Sequence, residues 1–211
     1  MRFNPAPKAV QFSIYDLSDS QRADLYEVFK TSYIQATGNA WSNSLFNRRA
    51  ENWTFYGILD GVRTGVVAIR TQRSGLNKLV AIAGHPRSAL AGIHLLMADK
   101  QNEPIWGMIS ADLVPTAKRM GLLTAHDQAG GPVFMRAVLS MIPAEVFGDS
   151  QIKLLPDGGI SVNVAEVGIV TKYLVFNKAY LQTLVKQAMF MLPAAVPMIQ
   201  MFTTKLMFGG K

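Results

Sequence analysis

The sequence predicts a mixed α/β fold, a mostly antiparallel central sheet flanked by helices, with an extra helical tail at its C-terminus. Three observations predict it. Residues 53–59, 64–72 and 78–84 are consecutive apolar runs, separated by Asp60-Gly61 and by Ser74-Gly75-Leu76-Asn77, both hairpin-turn sequences. Residues 78–121 then alternate as strand, tight loop, helix, strand, helix. Beyond residue 150, two short apolar runs flank Pro156-Asp157-Gly158-Gly159, another hairpin signal.

The elements follow in order. Pro5 and Pro7 keep the N-terminus extended, and Val10, Phe12 and Ile14 alternate with polar residues as in a strand. Ser18 and Gln21 have the spacing of a capping box, Leu25, Val28, Phe29 and Tyr33 form a helical stripe, and Gly38 ends it. Residues 39–52 are ambiguous; a second short helix is expected, with Arg48 and Arg49 on a solvated turn. Arg70 and Arg73, in and after the second strand of the meander, read as exposed strand charges before they read as substrate contacts.

The stretch 78–121 organises the rest. Residues 78–84 read as a buried strand ending in glycine. His85-Pro86-Arg87-Ser88 reads as a loop, because the residue before proline avoids helix, with Ser88 able to cap a helix from Ala89. Leu90, Ile93 and Met97 fall at helical spacing, which places His94 on the apolar face as a core histidine. Pro104 stops that helix, residues 105–109 form a second strand, and Asp112 is placed to cap a helix that tolerates Pro115 in its first turn. Leu113, Ala117 and Met120 line this helix, Lys118 and Arg119 sit in its last turn, and Gly121 ends it.

This order resembles the core of the GNAT superfamily, the acyl-CoA-dependent N-acetyltransferases. The resemblance covers about residues 10–177, with motif support in 78–121. It implies that the first strand and following helix hold acetyl-CoA or another acyl-CoA, through Ile82, Ala83 and Gly84 and through Arg87, Ser88, Ala89 and Gly92. A helix start attracts phosphate through its open amides and dipole. The family loop is Gln/Arg-x-x-Gly-x-Gly/Ala. Arg87 and Gly92 fit it, and Leu90 stands where the middle glycine belongs. The family's Asn and its general-acid Tyr fall on Ser110 and Ala117, and alanine donates no proton. Within the same resemblance Ser110 is the candidate hydrogen-bond donor at the acyl-transfer centre. Glu103 is a candidate base by elimination, as are Glu51 and Glu145. The chain is also similar to GNAT-like proteins of short-tailed phages associated with assembly of internal virion proteins. The likeness lies in the element order and in the strand from Pro104 to Ser110, followed by a helix ending in Met120-Gly121.

After Gly121 a brief strand is expected at 122–125, then an insertion at about 126–150 with a helix opening at Pro132. Residues 152–155, 160–164 and 169–177 supply closing antiparallel strands. The domain organisation is thus a GNAT-like domain over 1–177 and a helical tail over 178–211. Residues 178–192 form an amphipathic helix, residues 188–204 carry no charge, and the methionine-rich stretch suits a protein partner docking on 188–208. Pro193 and Pro197 interrupt that stretch, so a transmembrane helix is not expected.

Composition bounds the function. At 211 residues, 49% hydrophobic and 17% charged, the chain buries a sizeable core. It has no cysteine, which excludes disulfides, thiolate metal sites and a cysteine nucleophile. His85, His94 and His126 match no zinc spacing, so no metal is expected. The N-terminus lacks the apolar segment of a secretory signal. The net charge of +7 and a pI near 9.7 favour anionic surroundings, including nonspecific proximity to nucleic acid. Two functions follow. One is a structural or assembly protein on a GNAT-like fold without the family's acid, in the cytoplasm or a phage virion, needing no cofactor, with a protein partner and an oligomer both open to it. The other is an active acyl-CoA-dependent N-acyltransferase acting on an amine.

Overall fold

The computed structural model describes residues 8–124, 152–155, 159–164 and 168–191. The described chain is mixed α/β, its strands mostly antiparallel and flanked by helices. It falls into two compact units, one to Gln101 and one from Asn102. The expected insertion at 126–150 and the tail beyond Met191 lie outside the described residues.

In the first unit, strands β1 (Val10–Ser13), β2 (Thr54–Ile58), β3 (Gly65–Thr71) and β4 (Asn77–Gly84) form an antiparallel meander in chain order. Helices α1 (Asp19–Thr37) and α2 (Asn43–Ala50) connect β1 to β2, and α3 (Pro86–Asp99) follows β4. The expected capping box forms: Ser18 Oγ accepts the Gln21 N–H, and Gln21 Oε1 accepts the Ser18 N–H. Gly38 closes α1 in the left-handed conformation at φ 73°. The link from β2 to β3 is longer than a two-residue hairpin. A 3-10 turn over Gly61–Arg63 intervenes, and Asp60 N–H is held by Thr64 Oγ1 at 3.1 Å.

Strand β3 is covered on both faces, and Val66, Val67, Ala68 and Ile69 are all buried. Phe12, Phe55, Val66 and Ala68 belong to the core under α1 and α2. Phe29 is its hub, with ring centroids 5.3–6.1 Å from Phe46, Trp53, Phe55 and Trp41. Each such side chain contributes about 1.5–3 kcal/mol by leaving water. Alternate residues Tyr56, Val67 and Ile69 face the other way, and α3 packs on β2 and β3.

The register of β3 against β4 pairs Arg70 with Lys78 directly across the ladder. Like charges at such a pair repel. Burial first, and Arg70 second, push the Lys78 ammonium down from 10.5 to about 8. The unfolded chain therefore binds more protons than the folded one between about pH 8 and 10.5, and stability rises with pH across that window. Lys78→Met is expected to raise folding stability at pH 7 by about 1–3 kcal/mol. The gain should vanish as pH passes 10.5. Urea unfolding of both proteins at pH 7 and at the alkaline end tests this.

The second unit is built on β9 (Gly168–Phe176). One side of β9 carries β8 (Ile160–Val164), with β7 (Ile152–Leu154) beyond it. β5 (Ile105–Ile109) pairs with the C-terminal half of β9. The two-residue β6 (Leu123–Thr124) pairs with Val175 and Phe176, beyond the residues that β8 engages. After β5 the chain makes a 3-10 turn over Ala111–Leu113 and the short helix α4 (Val114–Arg119). Asp112 lies inside that turn and caps nothing, because Ser110 and Leu113 occupy the two cap positions. Gly121 ends α4 as expected, at φ 79°, with Gly121 N–H on the Lys118 carbonyl and Leu122 N–H on that of Ala117.

Helix α5 (Lys178–Met191) follows β9 at once, and Asn177 makes the junction. Asn177 is 3% exposed. Its Oδ1 accepts the N–H groups of Ile105 (3.0 Å) and Tyr180 (2.9 Å), and its Nδ2 donates to the Glu103 carbonyl at 2.8 Å. One side chain thus caps α5 and fastens the start of β5. Tyr180 then packs on Trp106 and Phe176. Asn177→Ala orphans the buried N–H groups of Ile105 and Tyr180 and removes a bond to the Glu103 carbonyl, and is expected to cost about 2–4 kcal/mol. Asn177→Asp, which keeps the acceptor and loses the donor, should fall between. The midpoints of thermal unfolding give the ranking.

Candidate functional site

The site predicted from sequence is the turn from β4 into α3. β4 ends at Gly84, φ 84°, whose N–H donates to Ser32 Oγ of α1 at 3.1 Å. The chain turns at His85, which donates its N–H to the Thr64 carbonyl at 2.9 Å. α3 begins at Pro86, three residues before the start expected from sequence. Proline's fixed φ suits the first helical position, where no N–H is needed, and His85 before it stays extended. His85 is therefore the cap residue, and Ser88 caps nothing.

The buried stripe of α3 is Ser88, Ala89, Gly92, Ile93 and Leu96. It is rotated from the stripe expected through Leu90 and Met97. Leu90 is 39% exposed, Met97 is half-buried, and His94 lies on the exposed side rather than in the core. Glycine is the reason. A Cβ on Gly92 would collide with the Tyr56 carbonyl oxygen. One on Gly65 would collide with the His85 carbonyl oxygen and lie 2.8 Å from the Ala89 nitrogen. Only hydrogens at these positions let α3 come this close to β2 and β3. Backbone approach, not side-chain hydropathy, sets the face.

This accounts for most of the residues expected to hold a cofactor. Ala83 is buried under α1, Ile82 is half-buried on β4, and Gly84 is at the turn. Ser88 and Ala89 press on Gly65, and Gly92 presses on β2. At the start of α3 solvent meets Pro86, Arg87 and Leu90. Pro86 has no amide proton, and the N–H groups of Ser88 and Ala89 are both taken by the His85 carbonyl at 3.1 and 3.0 Å. Among the described residues the Arg87 N–H has no partner. The Nδ1 of half-buried His85 is enclosed and also lacks one. The helix start thus offers an anion one open amide, one exposed guanidinium and a helix dipole.

The residues expected to carry catalysis belong to the second unit. Ser110 follows β5 in extended conformation, half-buried, and its carbonyl accepts the Leu113 N–H at 3.1 Å. Glu103 precedes β5 and is exposed, and its carbonyl takes the Asn177 amide. All of β5 runs between them, roughly 20 Å at the rise of a strand. The fold does not bring this pair together. Ala117, which the GNAT resemblance sets against that family's tyrosine, is 2% exposed on α4. Among the described residues no cluster of His, Asp and Glu is able to hold a metal ion, and no helix is long and apolar enough to cross a membrane.

Three positions of consequence went unread in the sequence: Asn177, the Arg70–Lys78 pair, and Tyr56, whose hydroxyl donates to Asp99 at 2.7 Å and ties the end of α3 to β2. An Asn between an apolar strand and a helical stripe is a cap signal, so Asn177 was readable; the other two needed the strand register. No family model and no curated protein matches this sequence.

In an unconstrained helix Gly→Ala gains about 1 kcal/mol. Gly92→Ala should instead lose about 1–3 kcal/mol, from the collision with Tyr56. Urea midpoints followed by circular dichroism would show the sign.

Proposed function

We propose that this chain is a GNAT-fold protein that has lost acyl transfer and serves as a structural or assembly protein, of a phage virion. The observation that carries the reading is the start of α3. A pyrophosphate needs close backbone approach and several open amides. Here Leu90 is 39% exposed where the family's middle glycine belongs, and a single amide is open. The glycine that matches the family loop, Gly92, is spent on packing against β2. A buried Ala117 replaces the usual acid. In this reading the methionine-rich segment 188–208, uncharged as far as Thr204, docks a protein partner, and no cofactor is required. The basic charge suits surroundings dense in nucleic acid.

One observation favours the second reading, an active acyl-CoA-dependent N-acyltransferase. Exposed Arg87 sits beside the open amide at the positive end of a helix, where a phosphate would be stabilised. Ser110 and Glu103 would then be the residues to test for roles in transfer.

Isothermal titration with acetyl-CoA and longer acyl-CoAs separates the two. The expected result is no detectable binding by the folded wild-type protein. On the second reading, in which acyl-CoA binds, Leu90→Gly should tighten binding and Arg87→Ala should weaken it. Micromolar binding by the wild type would overturn the structural reading in favour of the enzyme.

A further inference from the structure

We propose that the tip of the β3–β4 hairpin, carrying Arg70, Arg73 and Lys78, is a contact element for the phosphate backbone of double-stranded nucleic acid. This goes beyond the assembly reading and does not rest on it.

The charge arrangement is local and uncompensated in sequence. From Gly61 to Ala98 the basic residues are Arg63, Arg70, Arg73, Lys78 and Arg87, and there is no Asp or Glu. Within that span the ladder sets Arg70 opposite Lys78, and Arg73 lies in the turn joining the two strands. Directly opposed side chains have Cβ atoms about 5 Å apart. Arg70 and Arg73 are exposed, and neither forms an ion pair among the described residues. Burial first, and the opposed Arg70 second, hold the Lys78 ammonium below its ordinary value, so Lys78 sits there at a cost in stability.

Opposed cations of this kind suit a ligand with closely repeated negative charge. A duplex carries one charge per roughly 1.7 Å of its axis, and a two-stranded ribbon fits against its grooves. Single-strand binders stack bases on aromatic side chains. Between Arg70 and Lys78 there is no aromatic residue, and the intervening side chains include Thr71, Gln72 and Ser74. These suit phosphate oxygens and carry no base code, so the contact is independent of sequence.

The test is fluorescence anisotropy of a labelled 30-base-pair duplex with the full chain, from 50 to 200 mM KCl. The variant Arg70→Gln/Arg73→Gln/Lys78→Gln should bind at least tenfold more weakly at 100 mM. Its log–log salt slope should fall by about 2.7, at about 0.9 for each phosphate no longer neutralised. Arg48→Gln/Arg49→Gln/Arg119→Gln removes equal charge from exposed sites elsewhere and should change affinity less than threefold. Because Lys78 is half-buried, Arg70→Gln/Arg73→Gln alone is measured too and should lower the slope by about 1.8. Equal losses in the tip and control variants would overturn the proposal, as would failure of the wild type to bind at 50 mM. Tighter binding to single-stranded DNA, or tip-dependent binding to a poly-glutamate peptide or to phosphatidylserine vesicles without duplex binding, would overturn it as well.

Discussion

The first unit depends on how closely the backbone of α3 approaches β2 and β3. Gly92 abuts the Tyr56 carbonyl, and Gly65 abuts the start of the helix. A methyl group at either point would sit inside the van der Waals distance of backbone atoms, which cannot swing aside as a side chain can. Everything at the candidate site follows from this seam. It rotates the helix so that Ser88 and Ala89 face the sheet, and it leaves Arg87, Leu90 and His94 outside. Tyr56 reaching Asp99 holds the far end. The opposite face of β3 is secured differently, by aromatic side chains gathered on Phe29.

The same seam gives a short motif a packing role. Arg87 and Gly92 have the spacing of a phosphate loop. In that loop the glycines bring backbone to a ligand. In this chain Gly92 brings backbone to backbone, and the consumed amides of Ser88 and Ala89 leave the helix start with little to offer. A motif names residues that permit close approach, and the fold decides what approaches.

Much of the architecture was readable in advance. The Ser18–Gln21 box, Gly38, Gly75 and Gly121 mark ends whose local chemistry is strong enough to act without tertiary help. The strands of the meander and the hairpin of β7 and β8 stand where alternation and turn residues put them. Two causes lie behind the readings that failed. Ser88 as a cap and Asp112 as a cap each took a residue's preference as its role, and His94 in the core followed from a helix face drawn through Leu90. Proline at the first position of α3 moved the start to His85, and a 3-10 turn absorbed Asp112. The site was less readable than the fold because it depends on which side of a helix faces inward. Hydropathy alone favoured Leu90 there, and glycine contacts placed it outside. Ser110, taken from the resemblance, and Glu103, taken by elimination, stand at opposite ends of one strand.

The sequence by itself determined the order and type of elements, the positions of most turns and helix ends, and the excess of positive charge. These are set by interactions between residues a few positions apart, or by composition. Only the tertiary structure decided the rotation of α3, the three bonds made by Asn177 and the meeting of Arg70 with Lys78. Each depends on segments distant in the chain coming within a few ångströms, and a difference of one residue in register or a fraction of a turn in rotation would undo it.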